Sequence, residues 1–216
     1  MGKLIVIDGL DGSGKNTQAT LLYRRLLTQG KKAHLVSFPQ YDSPACEPVK
    51  MYLSGAFGSD PDAVNPYAAS AFFAVDRYAS FTLNWKQDYE AGEFIIANRY
   101  TTANAIHQLT KLAPEEHEAF LSWLYDFEFN RLGLPAPDRT ILLKLPVEMS
   151  LSLIETRGNE KDIHENRHHL EKAYRAAETC ARAWHWTVVD CLDETGGLDS
   201  IAHISEKIDR AIEDLI

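Results

Sequence analysis

The sequence predicts a three-layer α/β fold in which a five-stranded parallel sheet is flanked by helices. Two observations predict it. Five short apolar runs have the β-branched composition of strands buried on both faces, and apolar residues at helical spacing lie between them. The runs are KLIVID (Lys3 to Asp8), AHLVSF (Ala33 to Phe38), FIIAN (Phe94 to Asn98), TILLKL (Thr140 to Leu145) and HWTVVDC (His185 to Cys191). The first helix carries Leu21, Leu22, Leu26 and Leu27 and stops at Gly30. A shorter apolar patch, Leu151, Leu153 and Ile154, precedes TRG. Ile201, Ile204, Ile208, Ile212 and Leu215 form a final stripe, read as core packing. Two connections are longer than simple crossovers need. Tyr41 to Gly92 contains a long helix over NPYAASAFFAVDRYASFTLNW, and Tyr100 to Asp138 contains another over PEEHEAFLSWLYDFEFNRLG. Insertions at the carboxyl ends of strands are where an open α/β sheet builds its ligand site.

The 216 residues suffice for a single domain, 1–216, with a sizeable core. With 45% hydrophobic and 25% charged residues the chain is ordinary for a globular protein, and its net charge of −9 argues against a general binder of nucleic acid or anionic membrane. Cys46, Cys180 and Cys191 are too scattered for a disulfide framework or a zinc motif and read as buried free thiols. The N-terminus enters a strand-like run at once and lacks the apolar core of a signal peptide, and no stretch nears an apolar span of ~20 residues. A soluble, cytoplasmic protein is expected.

GLDGSGKNTQ, Gly9 to Gln18, joins the first strand to the first helix. Gly9, Gly14 and Lys15 fit a phosphate-binding loop, for which a preceding strand and a following helix are the required context. Glycines at 9, 12 and 14 let the backbone approach a ligand. Successive N–H groups then converge on phosphate at the positive end of the helix, and Lys15 reaches the terminal phosphates. The expected nucleotide-binding set is Gly9, Asp11, Gly12, Ser13, Gly14, Lys15, Asn16 and Thr17. Asn16 stands where the pattern places a hydroxyl that meets Mg²⁺; its amide oxygen is a neutral hard donor able to meet the ion directly or through water. Thr17 is turned about 100° from its neighbour and does not replace it.

The chain resembles the thymidylate kinases, P-loop nucleoside monophosphate kinases, over nearly its whole length. Asp11 falls where that family has an acid in the loop near the acceptor's sugar hydroxyl. FPQY follows the second strand as the family's Phe-Pro segment does, which places Phe38 at the acceptor. FAVDR matches its Phe-x-x-x-Arg, so Phe73 would stack on the base with Arg77 assisting. NRY stands at its Asp-Arg-Tyr, so Arg99 would hold the acceptor phosphate. Asn104 and His107 fall where relatives contact the base and screen the sugar, and KDIHE resembles the lid, with Asp162 and Glu165 matching. The spacing agrees: Phe73 and Arg77 are four apart and Asn104 and His107 three apart, so each pair shares a helix face.

What the resemblance implies is a P-loop NTPase fold with a short lid near 157–165, and phosphoryl transfer from ATP to dTMP giving ADP and dTDP, with Mg²⁺ accompanying ATP. It also implies a homodimer packed through long helices, for which Phe72 to Trp85 and Phe120 to Phe129 offer aromatic surface that is equally consistent with core. The catalytic residues would be Lys15, Arg99 and a transferring arginine. The loop slot where some members carry that arginine is Gly12, so Arg157 from the lid is expected, with Arg167 second and Lys161 contributing. The adenine site would lie in the turn Cys191 to Gly197.

Several positions depart from the family pattern. Asn16 replaces the hydroxyl, Asn98 the acid of Asp-Arg-Tyr, Lys144 an acid of the fourth strand, and Gln40 stands near an arginine of some members. His107 occupies a position at which many relatives have tyrosine. Two other readings therefore stay open: a kinase for another nucleoside or deoxynucleoside monophosphate, and a catalytically weakened nucleotide-binding relative. His164, His168 and His169 follow the lid; His164 and His168 are four apart, but with no third ligand at a set spacing the stretch reads as a solvated helix face.

Overall fold

The computed structural model describes residues 1–58, 60–157 and 167–216, with the backbone alone of Pro61 and Arg157. The expected lid, 157–165, thus lies outside the described residues apart from the backbone of Arg157, and Lys161, Asp162, His164 and Glu165 lie outside them altogether.

Five parallel strands form the sheet: β1 (Lys3–Gly9), β2 (Ala33–Ser37), β3 (Phe94–Asn98), β4 (Arg139–Lys144) and β5 (Thr187–Asp190), in the order β2-β3-β1-β4-β5. The apolar runs therefore are strands, with β4 starting and ending one residue earlier than expected and β5 confined to the centre of its run. The alternation within β1 shows why its run is continuous. Ile5 and Ile7 pack on one layer, formed by α1 (Lys15–Thr28) and α9 (Ile201–Ala211) through Ala19, Leu22, Leu26, Ile204 and Ile208. Leu4 and Val6 pack on the opposite layer with Phe81, Trp85 and Tyr89. Both faces are covered, so Leu4 to Ile7 are apolar on both sides.

The long connection after β2 carries α2 (Glu47–Leu53), α3 (Pro66–Ser80) and α4 (Lys86–Glu90), and the one after β3 carries α5 (Thr101–Leu109) and α6 (His117–Tyr125). Each expected long helix is continued by a wider π turn, Phe81–Trp85 after α3 and Asp126–Arg131 after α6. Beyond β4 come α7 (Val147–Arg157) and α8 (Arg167–Ala183). Ile204, Ile208 and Ile212 of the last stripe are core, but Ile201 is 58% exposed and is not. All three cysteines are buried free thiols, and burial pushes Cys46 up to about 11 and Cys191 up to about 12. No described helix is long and apolar enough to cross a membrane.

The chain turns from one side of the sheet to the other around β1. β1 pairs with β3 on one side (Ile7 beside Asn98) and with β4 on the other (Gly9 beside Leu143). The glycine loop after β1 and Arg99 after β3 therefore emerge together at the carboxyl edge.

The layer behind that edge contains a buried ion pair. Glu128, fully buried on the inner face that also presents Leu121 and Leu124, accepts hydrogen bonds from Arg77 Nε (2.7 Å), Arg77 Nη2 (2.6 Å) and Thr101 Oγ1 (2.7 Å). It ties α3, α5 and the second π turn together. Glu128→Ala is expected to lower the free energy of unfolding by about 3–5 kcal/mol, because it leaves the Arg77 charge buried without its counter-ion. Urea unfolding followed by circular dichroism measures this; a loss within about 0.5 kcal/mol, typical of surface substitutions, would contradict it.

Candidate active site

The loop geometry follows from its glycines. A Cβ on Gly9 would lie 2.7 Å from the Leu143 carbonyl oxygen, and one on Gly12 only 2.6 Å from the Ser150 carbonyl oxygen in α7. Position 12 thus has no room for a side chain, which is the physical reason an arginine cannot extend from it. Ser150 Oγ also donates to the Asp11 carbonyl oxygen, clasping α7 to the loop. Gly14 is the N-cap of α1 in the left-handed region (φ 83°), with no side-chain cap and no acid in the first turn. The leading N–H groups of α1 are consequently left to a ligand, and the helix end favours an anion.

Lys15 is buried and turned back on the loop. Its Nζ donates to the carbonyl oxygens of Gly9 (3.0 Å) and Leu10 (2.7 Å) and lies 3.6 Å from Asp11 Oδ1. Burial, reinforced by the nearby Arg99 charge, lowers its pKa to about 8 against the opposing pull of Asp11 and Asp8. Around it a cavity is lined by Asp11, Gly12, Ser13, Gly14, Lys15, Asn16, Thr17, Gln18, Asn98 and Arg99, with Leu153, Ile154, Leu198, Ile201 and Ile204 as its apolar side. The turn Cys191 to Gly197 contributes no lining residue; the apolar wall comes from just beyond it, which is why Ile201 leaves the core stripe.

Mg²⁺ is implied by the resemblance, and the donor atoms suit it. Ser13 Oγ and Asn98 Oδ1 are buried oxygens without a hydrogen-bond partner among the described residues, and both residues line this cavity. Asn98 Nδ2 donates to Ser37 Oγ (3.0 Å). With Asn16 exposed at the helix start, the set is one of hard oxygen donors. Lys144, which removes an acid, forms an ion pair with Glu178 (2.8 Å) and sits over the Tyr174 ring, so its charge is spent on α8 rather than in the loop.

A second cavity adjoins the first. Asp11 and Arg99 line both. The second is completed by Phe38, Pro39, Tyr41, Leu53, Phe73, Arg77, Tyr100, Ala103, Asn104, His107 and Gln108. Thus Phe38, Phe73, Arg77, Arg99, Asn104 and His107, far apart in sequence, face one space. Gln40 is not among the lining residues; its backbone N–H donates to the buried Asp76 (2.9 Å), and its side chain meets Asn84. Two of the Arg77 nitrogens are taken by Glu128, so Nη1 remains as its ligand-facing donor. Asn104 Nδ2 donates to the Ser70 carbonyl oxygen (3.1 Å), which leaves its Oδ1 as an acceptor for a ligand. Arg99 has φ 65°, unusual for a non-glycine residue. That backbone turn aims its guanidinium at Asp11 Oδ1 and, at 3.1 Å, at His107 Nε2.

One expectation is corrected here. His169 does not lie on a solvated face: it is 7% exposed, and its Nε2 is 3.0 Å from His107 Nδ1. Its helix presents Leu170, Ala173, Ala177 and Cys180 inward, and His169 sits one turn before Ala173; the dense charge around it masked that stripe. Glu128 carried a similar signal, an acid on the line of Leu121 and Leu124, where a charge requires a partner. His168, by contrast, is exposed.

The state of Lys15 has a measurable consequence. Its folded pKa is depressed to about 8, so near pH 8 about half of the lysines are neutral, and bound phosphates favour the charged form. ATP binding at pH 8 should therefore take up about half a proton per site, falling towards none at pH 6, where Lys15 is already charged. Calorimetry in buffers of different ionisation enthalpy reads this number, and Lys15→Arg, always charged, should abolish the uptake. Equal uptake in parent and Lys15→Arg proteins would assign it elsewhere.

Comparison with known proteins agrees with this architecture. The family model described as Thymidylate kinase matches residues 7–198. The thymidylate kinase of Mycobacterium tuberculosis is 30% identical over 206 residues, covering 90% of this chain and 94% of that one. A probable thymidylate kinase of Thermococcus gammatolerans is 31% identical over 160 residues, 73% of each chain. A solved structure of thymidylate kinase from Candida albicans superimposes with a TM-score of 0.72 over 99% of this chain and 92% of that one, at 23% identity, a likeness of fold. With a matching family model over most of its length and a near full-length relative at that identity, the chain belongs to the thymidylate kinase family.

Proposed function

We propose that the protein transfers the γ-phosphoryl group of ATP to dTMP, giving ADP and dTDP. The observation that carries this reading is the pair of adjoining cavities that share Asp11 and Arg99: one is built around a phosphate-binding loop, the other around an aromatic plate and an arginine fork. ATP phosphates lie on the N–H groups of the loop and on Lys15, which exchanges its carbonyl partners for phosphate oxygens. Leu153, Leu198 and Ile201 offer the apolar wall for the nucleoside end. In the acceptor pocket Phe73 stacks on the base, a contact worth ~1–3 kcal/mol. Phe38 borders it, Arg77 Nη1 and Asn104 Oδ1 read its edge, and His107 and Asp11 border the sugar. Arg99 holds the acceptor phosphate.

A phosphate oxygen of dTMP then attacks the γ-phosphorus; as that bond forms, the bond from the γ-phosphorus to the β,γ-bridging oxygen breaks and its electron pair leaves with ADP. The protein's part is positioning and charge neutralisation. Lys15 and Arg99, both beside Asp11 Oδ1, bring two positive charges to the reacting phosphates. Asn16 and Asn98 would present amide oxygens to Mg²⁺ accompanying ATP, which when bound would add to the neutralisation of phosphate charge. Arg157, at the end of α7 and close in sequence to the Ile154 wall, is the arginine assigned to the transferred group, with Arg167 next; Arg167 is engaged by Glu148 at 3.1 Å. With two neutral amides where the pattern has a hydroxyl and an acid, the metal would depend more on substrate phosphates.

A homodimer and a cytoplasmic location belong to the same proposal. Val75, Tyr78 and Leu83 are exposed along α3 and its π turn, with Leu83 at 79%, and an apolar ridge of this kind fits a helix-to-helix interface.

A coupled ADP-release assay across nucleoside monophosphates, with and without Mg²⁺, tests the activity. dTMP should be the best acceptor, and chelation of Mg²⁺ should abolish turnover. dTMP ranking among the poorest acceptors would favour a kinase for another monophosphate, a reading that His107 in the pocket keeps specific. ATP binding without turnover on any acceptor would favour a nucleotide-binding relative.

A further inference from the structure

Four polar side chains from four different segments form one line: Asp11 in the glycine loop, Arg99 after β3, His107 in α5 and His169 in the first turn of α8. Guanidinium groups donate and never accept. The Arg99 Nη1 contact to His107 Nε2 therefore requires a bare Nε2, which puts the His107 proton on Nδ1. That proton points at His169 Nε2, 3.0 Å away, which must in turn be bare. The ring planes are parallel to within 2° and the centroids are 5.3 Å apart, the separation of two imidazoles joined end to end by an in-plane N–H···N bond rather than stacked face to face. The direction of every hydrogen bond is thus set by the arginine.

We propose that His169 is a positioning residue for the acceptor pocket: by accepting from His107 it fixes the tautomer and orientation of the ring that holds Arg99, and so ties the start of α8 to the arginine that receives the monophosphate. The line works only while both rings are neutral. Burial drives the His169 pKa down to about 4, assisted by the Lys172 and Lys111 charges and opposed by Asp11 and Asp62, so the neutral form persists through ordinary assay conditions. Neither ring is available to donate towards Arg99. A change at His169 therefore reaches the pocket through a rotated His107, without touching the substrate.

The inference rests on the reading of Arg99 as acceptor ligand. Its test is steady-state kinetics of His169→Leu and His169→Gln beside the parent. Leucine removes the acceptor, while glutamine presents an amide oxygen in its place. His169→Leu should raise KM for dTMP about tenfold, the cost of a buried donor left without its partner. KM for ATP should stay within about twofold, and His169→Gln should recover most of the loss, as expected when one hydrogen bond rather than packing is at stake. An unchanged dTMP KM in the leucine variant, equal rises in both KM values, or no recovery with glutamine would each overturn the proposal. If the leucine variant does not fold, ¹⁵N-detected histidine tautomers of the parent still decide: His107 and His169 should both carry the proton on Nδ1, and an Nε2 proton on either ring contradicts the line. No dTMP-dependent ADP release in the parent, with both Nδ1 tautomers present, would sink the acceptor reading and the proposed role together; an active parent whose dTMP KM ignores His169 would sink the role alone.

Discussion

The contact between Arg99 and Asp11 is the constraint on which the rest of the site depends. Arg99 reaches it from a left-handed backbone, a conformation that costs a non-glycine residue about 1–2 kcal/mol. The conformation is held from several sides: the Arg99 N–H bonds the Ile7 carbonyl oxygen of the neighbouring strand, and its side chain is gripped by Asp11 and His107. Because β1 and β3 are adjacent and parallel, the glycine loop and Arg99 leave the sheet side by side. A single ion pair can then border two cavities at once. Sheet order, more than any one residue, makes a two-substrate site possible.

The same contact organises the electrostatics. Asp11 is shared between Arg99 and Lys15, and Arg99 in turn depresses the Lys15 pKa. These charges are therefore partly satisfied by each other and by loop carbonyl oxygens, the partners that phosphates replace in the proposed function. Behind them stand neutral or paired supports: Glu128 balances Arg77, and the His107 and His169 rings hold Arg99 without adding charge. α7 closes the loop so tightly through Ser150 that position 12 remains glycine by exclusion.

Much of this was legible in the chain. β1, β3 and the centre of β4 are continuous apolar runs because both faces of those strands are covered, and that pattern survives without any knowledge of partners. The loop was legible because its glycines and Lys15 are consecutive. Phe73 with Arg77, and Asn104 with His107, were legible as pairs on single helix faces, and their meeting place followed from resemblance. What escaped were contacts between elements. Arg77 and Glu128 are 51 positions apart, and nothing local in either helix names the other. His169 was hidden because its neighbours are charged, although it precedes Ala173 by one turn on an apolar face. Ile201 was misread as core because the stripe it begins is core; only the position of the loop cavity exposes its first residue.

The central claim is that Asp11 and Arg99 act as one unit joining the nucleotide and acceptor sites, and a double-mutant cycle measures that directly. Values of kcat/KM for dTMP would be compared for the parent, Asp11→Asn, Arg99→Lys and the double variant. Groups in one hydrogen-bonded network couple by about 0.5–3 kcal/mol, so the double variant should lose far less than the sum of the two single losses. Losses that add to within about 0.4 kcal/mol would mean that the two residues act independently, and the joined site described here would be wrong.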